Sequence, residues 1–159
     1  MISFKQYLSK FNKKYVCVSF TDETNKSLRE YALKNGFDLS VKYNDEKQDP
    51  NDFKFHMTII YTSNRLNAPN GNIEISNFNV QPNKLELLGE NKNIPVIKIK
   101  LDNKLKEIRE FFTELGFKDN WPSYKPHISL SYKRQLYDLS KIELPDFPIE
   151  INSLTIKNQ

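Results

Sequence analysis

The alternation of apolar and polar positions changes period several times along the chain, and each change marks a new element. From Tyr15 to Phe20 the alternation is strict: Val16, Val18 and Phe20 share one face of a strand, leaving Tyr15, Cys17 and Ser19 on the other. The period then lengthens. Thr21 or Asp22 caps a helix running to about Asn35, with Leu28, Tyr31 and Ala32 on its inner stripe and Gly36 ending it. Upstream, Phe4, Leu8 and Phe11 are spaced for a short amphipathic helix over Ser3 to Phe11 that docks on the body. The polar run from Tyr43 to Asp52, broken by Pro50, is a loop.

Period two returns from Phe53 to about Thr62, with Phe53, Phe55, Met57, Ile59 and Tyr61 as an apolar series on one face. Strands are expected near Asn72–Val80 and Lys84–Leu88, with turn signals at Asn70-Gly71 and Gly89, and again from Ile94 to Leu101. Asp102 caps a second helix whose stripe is Leu105, Ile108, Phe112 and Leu115, stopping at Gly116. An aromatic, proline-stiffened loop, Trp121-Pro122-Ser123-Tyr124-Lys125-Pro126, leads into a strand from His127 to Lys133, and Ile149–Ile156 is the last strand. The order strand, helix, Gly-Phe, loop, His-bearing strand occurs twice. That order suggests two similar lobes of one domain, with a cleft where related strands meet.

Composition narrows the chemistry. The 159 residues include one Cys, two His and four Gly. A single Cys rules out an internal disulfide framework or a Cys-rich zinc module, and no Gly-rich phosphate loop can be found. The formal charge of +4 is compatible with a phosphate-bearing ligand, yet 20 of the 24 basic residues are scattered Lys, so charge is a weak guide. The N-terminal residues lack an apolar core followed by a small-residue cleavage site, and no apolar run approaches the ~20 residues needed to span a bilayer, so a cytoplasmic protein without membrane contact is expected.

Chemistry therefore falls to the scarcest side chains. Both histidines sit in one local pattern, His56-Met57-Thr58-Ile59 and His127-Ile128-Ser129-Leu130. With 12 Ser and 6 Thr in 159 residues, a hydroxyl two places after a given His arises by chance with odds of about 0.11, and twice with odds of about 0.01. Strand alternation puts His56 with Thr58, and His127 with Ser129, on faces opposite the apolar series. Two imidazoles can act as base and acid on opposite sides of one phosphorus, while the hydroxyls hold its non-bridging oxygens. Metal binding is the weaker alternative, since no carboxylate stands at ligand spacing beside either His. A Cys17 nucleophile is weaker still, because it lies mid-strand without a strained turn.

Paired H-x-[ST]-x motifs in matching strands are similar to those of the 2H phosphoesterase (LigT-like) superfamily, and the 71-residue separation of the histidines fits it. The segment Lys125-Pro126-His127-Ile128-Ser129-Leu130-Ser131-Tyr132 after a Trp-Pro turn most resembles the phage-encoded anti-CBASS phosphodiesterases, which degrade the cyclic oligonucleotide signals of bacterial antiviral defence without a metal. The resemblance implies an α+β bilobal fold, with two pseudo-symmetric, mainly antiparallel sheet lobes, helices outside and a central cleft. It also implies catalytic roles for His56, Thr58, His127 and Ser129, no metal or cofactor, and a cyclic oligonucleotide as substrate with no obligate protein partner. Tyr15, Trp121 and Tyr124 are candidates to stack on bases, Lys125 to meet phosphate, and Glu143 or Glu150 to accept from an adenine amino group. An RNA-end 2′,3′-cyclic or 2′–5′ phosphodiesterase would use the same four residues, and a non-catalytic nucleotide or RNA binder is the remaining alternative.

Overall fold

The computed structural model describes residues 14–62 and 70–158; the helix expected over Ser3 to Phe11 lies outside them. The described chain is α+β, with two antiparallel sheets and two helices. Its elements are β1 (Lys14–Phe20), α1 (Asp22–Lys34), a 3-10 turn (Pro50–Asp52), β2 (Met57–Thr62), β3 (Gly71–Val80), β4 (Pro82–Leu88), β5 (Ile94–Ile99), α2 (Asn103–Glu114), β6 (His127–Ser129) and β7 (Ile149–Asn158). The four-stranded sheet has the order β2-β1-β7-β3 and the three-stranded sheet the order β4-β5-β6.

The repeated order of elements reappears as repeated local structure. In one half β1 pairs antiparallel with β2; in the other β5 pairs antiparallel with β6. Both helices are capped by a side-chain oxygen, Thr21 Oγ1 for the Thr24 N–H and Asp102 Oδ1 for the Leu105 N–H. Both end in a glycine at positive φ, Gly36 at 81° and Gly116 at 99°. The next residue then donates back five places, Phe37 to Ala32 and Phe117 to Phe112. Only glycine takes that left-handed turn without strain, and it drops each following Phe into the core. Residues of both sheets, from Val16 and Val18 to Ile97 and Ile128, belong to one apolar cluster.

Several boundaries differ from the sequence expectation. β2 starts at Met57 rather than Phe53: its ladder with β1 ends at the Val18–Met57 pair and residues 53–56 take no strand pairing, while on the other side of β1 a bulge adds one residue, Asn152, to β7. A second bulge lies opposite Val16 and Cys17, where Thr58 and Ile60 flank an extra residue, Ile59. It reverses the phase of β2, so Ile60 and Thr62 enter the core and Tyr61 crosses to the face of Thr58. Tyr61 is thus not part of the apolar series.

β6 has three residues instead of the seven from His127 to Lys133. Its next residue, Leu130, donates to the Pro95 carbonyl at 2.9 Å, and Pro95 has no N–H to return the bond, so the ladder stops. Leu115 is 57% exposed rather than on the inner stripe, because α2 ends at Glu114 and Leu115 lies past its last turn. β2 and β3 are opposite edges of their sheet. Among the described residues no helix is long and apolar enough to cross a membrane.

Candidate active site

His56 immediately precedes β2 and His127 opens β6; each of these strands is the edge of its sheet, and the two edges lie against each other. The two motifs, far apart in sequence, are thereby brought together. The charge of His127 reaches His56 strongly enough to be one of the causes lowering its pKa. The side chain of Tyr124 ties the junction, donating from its hydroxyl to the Thr58 carbonyl at 3.0 Å, and the Asn120 N–H donates to the Tyr61 carbonyl at 2.8 Å.

Both imidazoles are half-buried. His127 Nδ1 lies 2.9 Å from the carbonyl of Lys125, two residues upstream. A carbonyl can only accept, so Nδ1 carries the proton and Nε2 is left as the exchangeable nitrogen. The backbone of Lys54, two residues upstream of His56, acts on that ring in the same sense and favours its charged form. Burial lowers the pKa of both, because charge is costly away from water. Their charged neighbours differ. His56 is pushed further down by Lys157 and His127, whereas His127 is pushed down by Lys98 and up by Glu86. Lys98 stands directly across from His127 in the β5–β6 register and is itself 3.6 Å from Glu86.

The hydroxyl partners occupy the same faces. Thr58 pairs with Cys17 across β1–β2, Oγ1 lying 3.9 Å from Sγ. Cys17 is buried, and burial raises its pKa, so it remains a thiol and is a poor nucleophile. Ser129 pairs with Val96 and lowers the pKa of Tyr132, which burial raises. Among the described residues no group of three or more His, Cys, Asp or Glu could hold a metal.

The proposed base-binding residues have different fates. Tyr15 projects onto the Cys17 side of β1 and packs on Tyr61 with centroids 4.5 Å apart; burial raises its pKa to about 12. Tyr124 has its hydroxyl on Thr58 and its ring under the Arg109 guanidinium at 4.9 Å, so both ends brace the loop. Arg109 is in turn fixed by Asp119 at 2.8 Å. Trp121 is 65% exposed, with its N–H on Asp119. Lys125 contributes its carbonyl to His127 while its side chain is exposed. Glu143 and Glu150 are tied down by backbone contacts, to the Tyr31 hydroxyl and to the start of α1, and neither carboxylate is among the charges acting on the imidazoles.

Sequence reasoning missed five participants. Lys157 lies across from Tyr15 on β7 and acts on both His56 and Cys17. Lys98 with Glu86 sets the field at His127. Tyr132 is acted on by Ser129, which lowers its pKa, and Tyr43 sits edge-on against Tyr132 at 5.7 Å. One signal was present: both motifs read Lys-x-His-x-[ST], Lys54 and Lys125 being the residues whose backbones act on the rings.

The paired edge strands are accompanied by a whole-chain likeness. A family model described as anti-CBASS protein Acb1 matches residues 12–157. The chain belongs to the anti-CBASS protein Acb1 family. Membership carries a phage function directed against CBASS, and the matched span contains both histidines and their hydroxyl partners. No curated protein matches the chain.

Proposed function

We propose that this family member is a metal-independent phosphodiesterase that opens 3′–5′ bonds of cyclic di- or trinucleotide immune signals in the host cytoplasm. The observation that carries the reading is the meeting of the β2 and β6 edges, which brings together His56, immediately before β2, and His127, the first residue of β6, each with a hydroxyl two residues downstream. The arrangement suits a bilobal 2H phosphoesterase-like fold with the substrate phosphate between the strands.

In this mechanism the ribose 2′-hydroxyl attacks the adjacent phosphorus, and its proton passes to the unprotonated nitrogen of one imidazole. The other imidazole, protonated, gives its proton to the departing 5′-oxygen as the P–O bond breaks. The product is a linear chain ending in a 2′,3′-cyclic phosphate, which water opens with the two roles exchanged. Thr58 and Ser129 donate to the non-bridging oxygens, and Lys157 and Lys98 offset the charge gathered there. Burial favours the neutral form of both rings, and a phosphodiester, as an anion, favours the charged form that the acid needs.

The test is incubation with cyclic di- and trinucleotides and with cyclic-phosphate-ended RNA, in EDTA, followed by chromatography. Retained cleavage of 3′–5′ cyclic dinucleotides supports the proposal. Cleavage of RNA ends alone shifts the substrate to RNA, complete loss in EDTA overturns the metal-free mechanism, and tight binding without turnover makes the protein a sequestering module.

A further inference from the structure

Residues 117–126 belong to no helix or strand, yet they set His127 at the first position of β6. A segment without a ladder needs other ties if it is to hold an imidazole to a fixed aim. Its last residue, Pro126, accepts from the Ile99 N–H at 3.0 Å, and the Asn120 N–H donates to the Tyr61 carbonyl at 2.8 Å. Between these two points Trp121, Pro122, Ser123 and Lys125 are exposed.

One side chain spans that gap. Arg109 lies on α2 between the buried Leu105 and Phe112, which fix the helix against the core. Its Nη2 donates to Asp119 Oδ2 at 2.8 Å, and its guanidinium lies over the Tyr124 ring, 4.9 Å from the centroid. Asp119 Oδ1 accepts from the Trp121 N–H at 3.1 Å, so the carboxylate closes a turn with one oxygen and takes the arginine with the other. Tyr124 directly precedes Lys125, whose carbonyl lies 2.9 Å from His127 Nδ1.

The other ion pairs among the described residues are 3.6–3.8 Å long, so the Arg109–Asp119 pair is the tightest of them. The Arg109 charge is not among those acting on either imidazole. Its influence on His127 therefore runs through the loop rather than through the field.

We propose that Arg109 is a positioning residue: by clamping Asp119 and the Tyr124 ring together it holds the Lys125 carbonyl against His127 Nδ1, and so keeps Nε2 as the nitrogen that exchanges a proton. The consequence for turnover rests on the phosphodiesterase reading, whereas the tautomer of His127 does not.

The chain has two histidines, so long-range proton–nitrogen NMR, at a pH where both rings are neutral, reports each imidazole separately. The variants are Arg109→Leu, Arg109→Lys and Asp119→Asn, the last keeping the shape of the carboxylate in case loss of the arginine disturbs folding. In the wild type His127 is expected to carry its proton on Nδ1. Arg109→Leu and Asp119→Asn are expected to turn it into a mixture of tautomers, with His56 unchanged. On a cyclic dinucleotide Arg109→Leu is expected to lower kcat by about 10–100-fold with KM within about threefold, the loss that a misplacement of about 1 Å produces. Arg109→Lys keeps the charge without the planar fork and is expected to recover part of that loss.

A His127 tautomer unchanged in both Arg109→Leu and Asp119→Asn overturns the proposal. So does an equal disturbance of His56 and His127, which would mean a general loosening of the fold. Wild-type cleavage with kcat unmoved by Arg109→Leu discards the positioning role and leaves the phosphodiesterase. No cleavage by the wild type, with the tautomer of His127 alone shifted in the variants, keeps the positioning role and discards the phosphodiesterase.

Discussion

The two histidines stand at the edges of two sheets on unequal supports. β2 runs for six residues beside a β1 that is itself paired on its other side with β7, and a bulge in β2 turns Tyr61 toward the same face as Thr58. β6 runs for three residues, stops at Pro95, and depends on the preceding loop, which Tyr124 and Asn120 fasten to β2. The charges are unequal too: His56 faces only influences that disfavour its charged form apart from the backbone of Lys54, while His127 has Glu86 on the opposing side. Duplicated geometry can therefore coexist with separate tuning of each ring, which a base and an acid require.

The largest effect tests whether both halves are needed. His56→Ala and His127→Ala are each expected to lower kcat on a cyclic dinucleotide by about 10³-fold or more, with circular dichroism and thermal unfolding close to wild type. Full activity in either variant would break the equivalence of the two strands and remove that ring from the mechanism.

A smaller effect should have opposite signs in the two halves. Lys157→Met removes a charge that lowers His56, so the pH profile of kcat/KM is expected to move to higher pH. Glu86→Gln removes a charge that raises His127, so the profile is expected to move to lower pH. At fixed pH each change is expected to be about tenfold at most, one unit of pKa being a tenfold change in protonation ratio. Displacement in the same direction by both would show that the two fields do not act on separate rings.

Smaller again is the cost of loosening the brace between the halves. Tyr124→Phe keeps the ring under Arg109 and deletes the bond to the Thr58 carbonyl, an expected loss of about 1 kcal/mol, or about 3 °C in Tm for a chain of this size. Calorimetric unfolding measures it, and an unchanged Tm would mean that the loop holds His127 without help from β2.

Much of this asymmetry could not be read from the sequence. Period two located the faces of His56, Thr58, His127 and Ser129, and the Gly-Phe endings marked both helices, because these features depend on local geometry. The bulge at Ile59 arises from pairing with β1, and strict alternation carried Tyr61 onto the wrong face. The end of β6 depends on a proline in its partner strand, 35 positions before Leu130. Lys157 reaches His56 only through the β1–β7 register, and Tyr43 lies in a loop whose composition gave no hint of its contact with Tyr132.

The finest comparison uses stability rather than activity. Each imidazole has a pKa below its ordinary value of about 6.5 in the folded chain, burial being the main cause. A group of that kind binds its proton more readily when the chain is unfolded, so its contribution is fully present above pH ~6.5 and is lost as pH falls through the lower folded value. The wild-type Tm is therefore expected to decline by about 1–2 °C over that window, before Asp38, whose carboxyl Ser40 holds below the usual range, begins to lose its own contribution in stronger acid. His56→Ala and His127→Ala should each remove part of the decline, and the double variant nearly all of it. The larger share should disappear with His56, since no acidic neighbour offsets the cost of charging that ring as Glu86 does for His127. Equal shares would mean that the charges around the two strands differ without acting differently on the rings.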